Sequence, residues 1–361
     1  MSPLHRITRL LAASAALALA AGCKPAAEPA TSTPPSPGDA AKTDAPKAGA
    51  KAVTKDGKPI TLGFLVKQPE EKWFQDEWKF AKKCAADNGF EVECKGDKDG
   101  AKVLQLIDTL AAQGAQGFVI CTPDVKLGPS IVAKAKEHDL KVYSVDDQFV
   151  GADGKFMEDV PYMGISAGDI GETVGKALAD EYKKRGWKPE ETAAAGITYT
   201  ELATAKARTD GAIKALTAAG FPKDRIYTKN EKSTDIPGSQ DAMKAILTQN
   251  PKVKHWLIFS MNDEGVLGAV RALEERAFAA DTCVGIGIGG SSCFPELERT
   301  TVTSFIGTVL ISPKRHGYET TEALFKWVRD GVEPEKKILT KGILIDRSNF
   351  KEIAKREGLM D

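Results

Sequence analysis

TLGFLVKQPEEKWF, residues 61–74, sets the reading of the whole chain. Leu62–Val66 is a short apolar run rich in β-formers and reads as a buried strand. Lys67, Glu71, Trp73 and Phe74 follow directly, ahead of a charged and aromatic segment that reads as a helix. In open α/β sheets, ligands gather outside the carboxyl ends of the strands. An amine, a carboxylate and two aromatic rings at that place suit a polyhydroxylated ligand. The charged groups exchange hydrogen bonds with hydroxyls, and a ring covers a C–H face. Taken alone, the same residues also read as a solvated loop entering a helix.

Outward from this stretch the same rhythm repeats. Apolar runs recur at Leu62–Val66, Gly117–Cys121, Lys141–Val145, Thr192–Tyr199, His255–Phe259, Cys283–Ile288 and Thr301–Ile306. Between them, Val103, Ile107 and Leu110 share a helical face, as do Val266, Val270 and Leu273, and Tyr318, Thr321, Phe325 and Val328. Strands alternating with amphipathic helices predict an α/β fold of parallel sheets with helices on both faces. The number of units exceeds what one compact sheet holds, which predicts two doubly wound domains. The 361 residues, 42% apolar, suffice for two cores. Lys plus Arg and Asp plus Glu both number 50, with no basic block, which argues against nucleic acid as a partner.

The amino terminus is set apart from this pattern. Arg6 and Arg9 precede an apolar run, Leu10–Ala21, that ends at Gly22-Cys23. This is a secretory signal, too short to span a bilayer comfortably. Ala-Ala-Gly-Cys also resembles a bacterial lipobox, which would make Cys23 lipidated and the new amino terminus; ordinary cleavage near the Ala run is the alternative. Residues 24–57 carry six Pro and almost nothing large and apolar, so they are expected to be a disordered tether spanning roughly 30 Å. Export implies an oxidising compartment. Beyond Cys23, five cysteines remain, Cys84, Cys94, Cys121, Cys283 and Cys293, so at least one thiol is unpaired within the chain. Bridges Cys84–Cys94 and Cys283–Cys293 are conceivable from the order of elements, and neither is expected. No Cys/His spacing suggests zinc.

Further polar groups fall at strand ends. Cys121-Thr122-Pro123-Asp124 follows GFVIC, and Asp146-Asp147-Gln148 follows KVYSV, on the same rim as Lys67 and Glu71. Neighbouring carboxylates point apart, so they make a poor acid–base pair but good acceptors for hydroxyls. In the second half, Thr204 and Arg208 lie one turn apart at a helix start, and Met261-Asn262-Asp263 follows HWLIFS. Surface ion pairing for Arg208 and helix capping for Asn262 are the plainer readings. Gly285, Gly287 and Gly290 match the dinucleotide fingerprint G-x-G-x-x-G. They sit inside an apolar run, however, and the next run supplies no ribose carboxylate, so no nucleotide cofactor is expected.

LGFLVKQPEEKWF, GFVICTPD, KVYSVDDQFV, VKHWLI, MNDEGVLGAVRA and HGYETTEALFKWV together resemble the L-arabinose-binding group of the type I periplasmic binding protein family, from about Pro59 to the end. The resemblance implies two α/β lobes joined by three crossovers: 58–166 with 312–340, and 167–311 with 341–361. It implies sugar contacts at Lys67, Glu71, Asp146, Asp147, Arg208 and Asn262, with Trp73, Phe74, Cys121, Thr204 and Met261 lining the pocket. Two positions depart from the family: Gly289 stands where it has Asn, and Ile165 where it has Met. The implied function is a non-enzymatic, monomeric receptor delivering a monosaccharide to the membrane subunits of an ABC importer, without cofactor or metal and touching the membrane only through its lipid. A tethered sensor presenting sugar to a membrane receptor, or an enzyme using Glu71 with Asp146 and Asp147, are the rival expectations. Because glycine offers no amide side chain, Gly289→Asn is expected to strengthen L-arabinose binding by about 1 kcal/mol, provided the backbone there has no positive φ.

Overall fold

The computed structural model describes residues 51–361. The expected signal segment, the expected lipidation site at Cys23 and most of the expected tether lie outside the described residues. The first lobe begins with β1 (Thr61–Val66), α1 (Lys72–Asn88), β2 (Glu91–Gly96), α2 (Gly100–Ala112) and β3 (Gly117–Ile120). It continues through α3 (Gly128–Glu137), β4 (Lys141–Asp146) and β5 (Tyr162–Ile165). The chain then crosses into the second lobe: α4 (Ala167–Arg185), β6 (Thr192–Thr198), α5 (Ala203–Ala218), β7 (Ile226–Asn230) and α6 (Ile236–Gln249). This lobe goes on with β8 (His255–Ser260), α7 (Asp263–Glu275), β9 (Cys283–Gly289), α8 (Phe294–Glu298) and β10 (Phe305–Leu310). A return passage supplies α9 (Thr320–Asp330) and β11 (Lys337–Thr340), and a last crossing leads to β12 (Ile343–Asp346) and α10 (Phe350–Arg356).

Two six-stranded sheets result, in the orders β11-β5-β4-β3-β1-β2 and β12-β10-β9-β8-β6-β7. All pairings are parallel except β12 against β10. Parallel sheets must be covered on both faces, which is why their strands read as unbroken apolar runs. In β1, Leu62, Phe64 and Val66 pack toward α1 and α9, while Leu65 joins α2 and α3 on the other face. The second sheet is clad in the same way, by α6, α7 and α10 on one side and α4 and α5 on the other. The helical faces read from the sequence are the ones buried: Val103, Ile107 and Leu110 in α2, and Val266, Val270 and Leu273 in α7. Of the four residues read onto one face near the end, Thr321 and Phe325 are buried, and Tyr318 and Val328 pack partly buried against the same core.

Three expectations need correction or completion. The run Thr301–Ile306 is not the strand: β10 starts at Phe305, and Val302 is 60% exposed. Thr301, Val302 and Thr303 belong to the approach, only Phe305 and Ile306 of the run enter the strand, and the buried residues Phe305, Val309 and Leu310 define it. The tether boundary at Gly57 lies too late, because Ala52 N–H donates to Gly89 O at 2.7 Å and Val53 bridges Pro59. Ala52 also packs on the first-lobe core. All five cysteines among the described residues are free thiols. No helix among the described residues is long and apolar enough to cross a membrane.

Candidate functional site: a polar cleft between the lobes

The parallel strands of both sheets point their carboxyl ends at one cleft of about 670 Å³. Lys67 enters it from the end of β1, and Glu71, Trp73 and Phe74 from the start of α1. Asp146 and Asp147 come from the end of β4, and Ile165 and Ile311 stand where the chain crosses between lobes. The opposite wall is Arg208 of α5, Met261 and Asn262 after β8, and Gly289 at the end of β9. Eleven of the thirteen residues expected from the sequence therefore line one cavity. The other two do not. Cys121 is buried behind Asp147, its thiol 3.8 Å from Oδ2, and Thr204 reaches the site only through its hydrogen bond to Asp147.

Asp147 is the centre of the polar network. Lys67 Nζ lies 2.7 Å from its Oδ2, and Thr204 Oγ1 donates to Oδ1 at 2.8 Å, from the second lobe to the first. Burial alone would raise this carboxyl, but the charge and hydrogen bond of Lys67, the Thr204 hydroxyl and Arg208 hold it below the usual range. Burial likewise weighs against the Lys67 ammonium, yet Asp147 leaves it firmly protonated, with its titration raised. The neighbouring Asp146 turns the other way, as adjacent residues at a strand end do. Its backbone is left-handed at φ 62°, its Oδ2 accepts from Trp73 Nε1 at 3.3 Å, and its Oδ1 lies 2.8 Å from His316 Nδ1.

On the second wall, Arg208 is half-buried and makes no ion pair among the described residues. Its Nη1 donates to Met261 O at 2.6 Å and its Nε to Thr204 O at 3.3 Å, which fixes the guanidinium plane while leaving other donors of the fork uncommitted to these carbonyls. Asn262 does cap α7: its Oδ1 accepts from Gly265 N–H at 2.8 Å, and its Nδ2 donates to Thr234 O at 3.0 Å. One lone pair and one N–H remain beyond those bonds, so capping and ligand contact are compatible.

Several lining residues were not among the expected site residues: Asp263, Glu264, Ser291, Tyr199, Asp235 and Ile311. The sequence reading places Asp263 at the strand end without a ligand role, and Glu264 directly follows it, so the strand-end rule could have included both as lining residues. Ile311 was lost with the misplaced strand. Asp263 accepts from Thr308 Oγ1 at 2.6 Å and from Gly290 N–H at 2.9 Å, yet burial and the charge of Glu264 push it up to about 7. Glu71 is pushed up to about 7 by burial and by Glu264 across the cleft. Gly289 has φ 127°, a conformation that side chains disfavour, although an added Cβ would find its nearest neighbour, Asp263 Oδ2, at 3.8 Å. The condition attached to Gly289→Asn is therefore not met. Gly285 and Gly287 lie inside β9, paired to β8 and β10, and so form no phosphate-binding turn.

A family model described as periplasmic binding proteins and sugar binding domain of LacI family matches residues 60–353. The L-arabinose-binding periplasmic protein of Escherichia coli K12 is 53% identical over 301 residues, 83% of this chain and 92% of that protein. The ABC transporter L-arabinose-binding periplasmic protein of Azospirillum brasilense is 44% identical over 312 residues, 86% of this chain and 93% of that protein. Among solved structures, a periplasmic ribose ABC transporter protein from Conexibacter woesei superimposes with TM-score 0.68 at 19% identity, covering 85% of this chain and 97% of that one. A solute-binding protein from Agrobacterium radiobacter, solved with D-arabinose, gives TM-score 0.66 at 19% identity, covering 84% and 99%. These last two share the fold.

Proposed function

We propose that this chain, which belongs to the family of periplasmic binding proteins and LacI-type sugar binding domains, captures a monosaccharide outside the cytoplasm and hands it to an ABC importer. The sugar is L-arabinose or a related aldose such as D-galactose. One observation carries this reading: buried and half-buried charged and amide groups from both lobes converge on a single cleft, as a ligand made of hydroxyls requires. The relatives named above, which the chain matches over most of its length, supply the class of sugar and the transporter.

Binding follows from the geometry. Lys67, Glu71, Asp146 and Asp147 belong to the first lobe and offer donors and acceptors before closure. Arg208 and Asn262 arrive with the second lobe when the crossings bend. Once the cleft closes, any enclosed polar group left unpaired costs free energy, so an epimer with one misplaced hydroxyl is rejected. Thr204 already bridges to Asp147 across the cleft, and a sugar hydroxyl takes that place or shares the carboxylate. We read the protein as a receptor without catalysis. Asp147 is ion-paired to Lys67 and Asp146 is tied to Trp73 and His316, so neither is left free as a general acid or base. The lipidated Cys23 tethers it to a membrane on the periplasmic side, and Cys23→Ser abolishes lipid labelling if this is so. The deciding experiment is calorimetry of the mature protein with L-arabinose, D-galactose, D-fucose, D-xylose and D-ribose. Binding of at least one in the micromolar range or tighter is expected, and silence toward all five, or turnover of a chromogenic glycoside, refutes the reading.

A further inference from the structure

Behind the cleft on the first-lobe side, Glu77, Asp146 and His316 bring a carboxylate, a second carboxylate and an imidazole within 4.8 Å of one another. Glu77 and His316 are fully buried, and neither lines the cleft. His316 sits in a single π-helical turn, Arg315–Glu319, of the kind that often marks a functional position. Its Nε2 lies 3.0 Å from Thr340 Oγ1, and Thr340 Oγ1 lies 3.1 Å from Gly164 O. Thr340 ends β11 and Gly164 lies one residue from the end of β5, so the imidazole links Asp146 to two strands from which the chain crosses between lobes. The Trp73 indole stands edge-on to the imidazole at 5.4 Å.

Glu77 is the unexplained member. Neither of its oxygens receives a donor, and His316 Nδ1 is 3.8 Å from Oε1. The other ionisable groups facing it are Asp146, Lys67, Asp147 and the Cys121 thiol. An enclosed carboxylate with no donor is untenable as an anion, whereas as an acid it becomes a donor itself, with Asp146 as the acceptor. Burial and the charge of Asp146 push Glu77 well above the usual carboxyl range, in the same direction.

We propose that Glu77 and His316 are positioning residues that grip Asp146 from behind as a proton-sharing triad, with Glu77 present as the neutral acid. The grip holds a non-glycine residue in a left-handed backbone, a conformation that persists only where its surroundings over-determine it. A divalent cation fits this cluster less well. His316 Nδ1 and Asp146 Oδ1 are already in hydrogen-bond contact at 2.8 Å, and the Lys67 ammonium acts on the same groups.

The affinity arm of the test rests on the sugar-binding reading; the stability arm does not. Thermal unfolding of the unliganded full chain is followed between about pH 5 and 9 for wild type and Glu77→Gln, whose amide donates without titrating. A neutral acid in the fold keeps a proton that the unfolded chain releases. Wild type therefore loses stability as pH rises above the ordinary carboxyl range, and Glu77→Gln gains on it progressively. Calorimetry uses whichever aldose binds wild type. Affinity falls about tenfold in Glu77→Leu, which has no donor, and recovers to within about threefold in Glu77→Gln. A melting gap that does not change with pH overturns the proposal, as does a folded Glu77→Leu that binds like wild type. One equivalent of a divalent ion in protein purified without chelator also overturns it. If wild type binds no aldose, the melting comparison still decides the triad, and that failure belongs to the sugar-binding reading alone.

Discussion

Asp147 is almost fully enclosed and still ionised, because Lys67 at 2.7 Å and the Thr204 hydroxyl at 2.8 Å compensate the lost water. That makes its removal unlike the removal of Arg208. Asp147→Ala strips the sugar of an acceptor and also deprives the largely buried Lys67 of its hydrogen-bonded partner, so a stability loss on the order of 3 kcal/mol accompanies the loss of affinity. Arg208→Ala removes a fork that bonds only backbone carbonyls, so affinity falls by about 1.5–3 kcal/mol while melting changes little. Calorimetry and melting on the two variants check this contrast, and an Arg208→Ala protein that is folded and binds as tightly as wild type removes Arg208 from the site. Gly289 is a matter of backbone. At φ 127° a side chain is strained whatever hydrogen bonds it offers, so Gly289→Asn lowers stability by about 1–3 kcal/mol and brings no gain for L-arabinose. A more stable variant with tighter binding would show that the loop relaxes.

At the scale of elements, the legible parts were those buried on both faces. β1, β3, β4, β6, β8 and β9 each announce themselves as apolar runs because helices cover both sides of the sheet. The edge strands β7, β11 and β12 are half exposed, and IYTKN, KILT and ILID carry too little contrast to stand out. The rim residues could be read because ligands collect at strand ends. The grip of His316 on Asp146 joins positions 170 residues apart and has no local signature. Helix contacts follow the same division. α4 and α5 meet through small residues: a Cβ on Gly171 would lie 1.9 Å from Arg208 O, and one on Gly175 would lie 2.3 Å from Ala212 O. Gly171→Ala must therefore push α5 away. We expect a stability loss of about 1–3 kcal/mol, with weakened sugar binding although no ligand contact is altered, because Arg208 moves with its helix. Melting together with calorimetry separates the two effects, and unchanged affinity would mean that α5 yields without displacing the guanidinium.

Across the whole molecule, buried carboxyls set the response to pH, and one charge acts on several of them. Glu264, at the start of α7, helps raise three other carboxyls, in each case after burial and for Glu231 after the charge of Asp235 as well: Glu71 of the opposite lobe to about 7, Asp263 to about 7, and Glu231 to about 8. Glu231 is buried with neither oxygen bonded, which agrees with a protonated acid. For each of these groups the folded chain binds a proton that the unfolded chain gives up at lower pH. Their stabilising contribution is complete below the ordinary carboxyl range and is lost as pH rises through 7 and 8. Asp147 behaves oppositely, because its lowered titration makes its contribution disappear only in acid. The unliganded protein should thus be most stable in mildly acidic solution, falling off toward pH 8 and above. Replacing Glu264 by Gln removes the shared repulsion, so the three carboxyls return toward their ordinary range and the alkaline fall becomes shallower. Melting temperatures of wild type and Glu264→Gln at intervals from about pH 5 to 9 measure this directly. Parallel curves would mean that burial alone raises these groups and that the cross-cleft repulsion is screened by water.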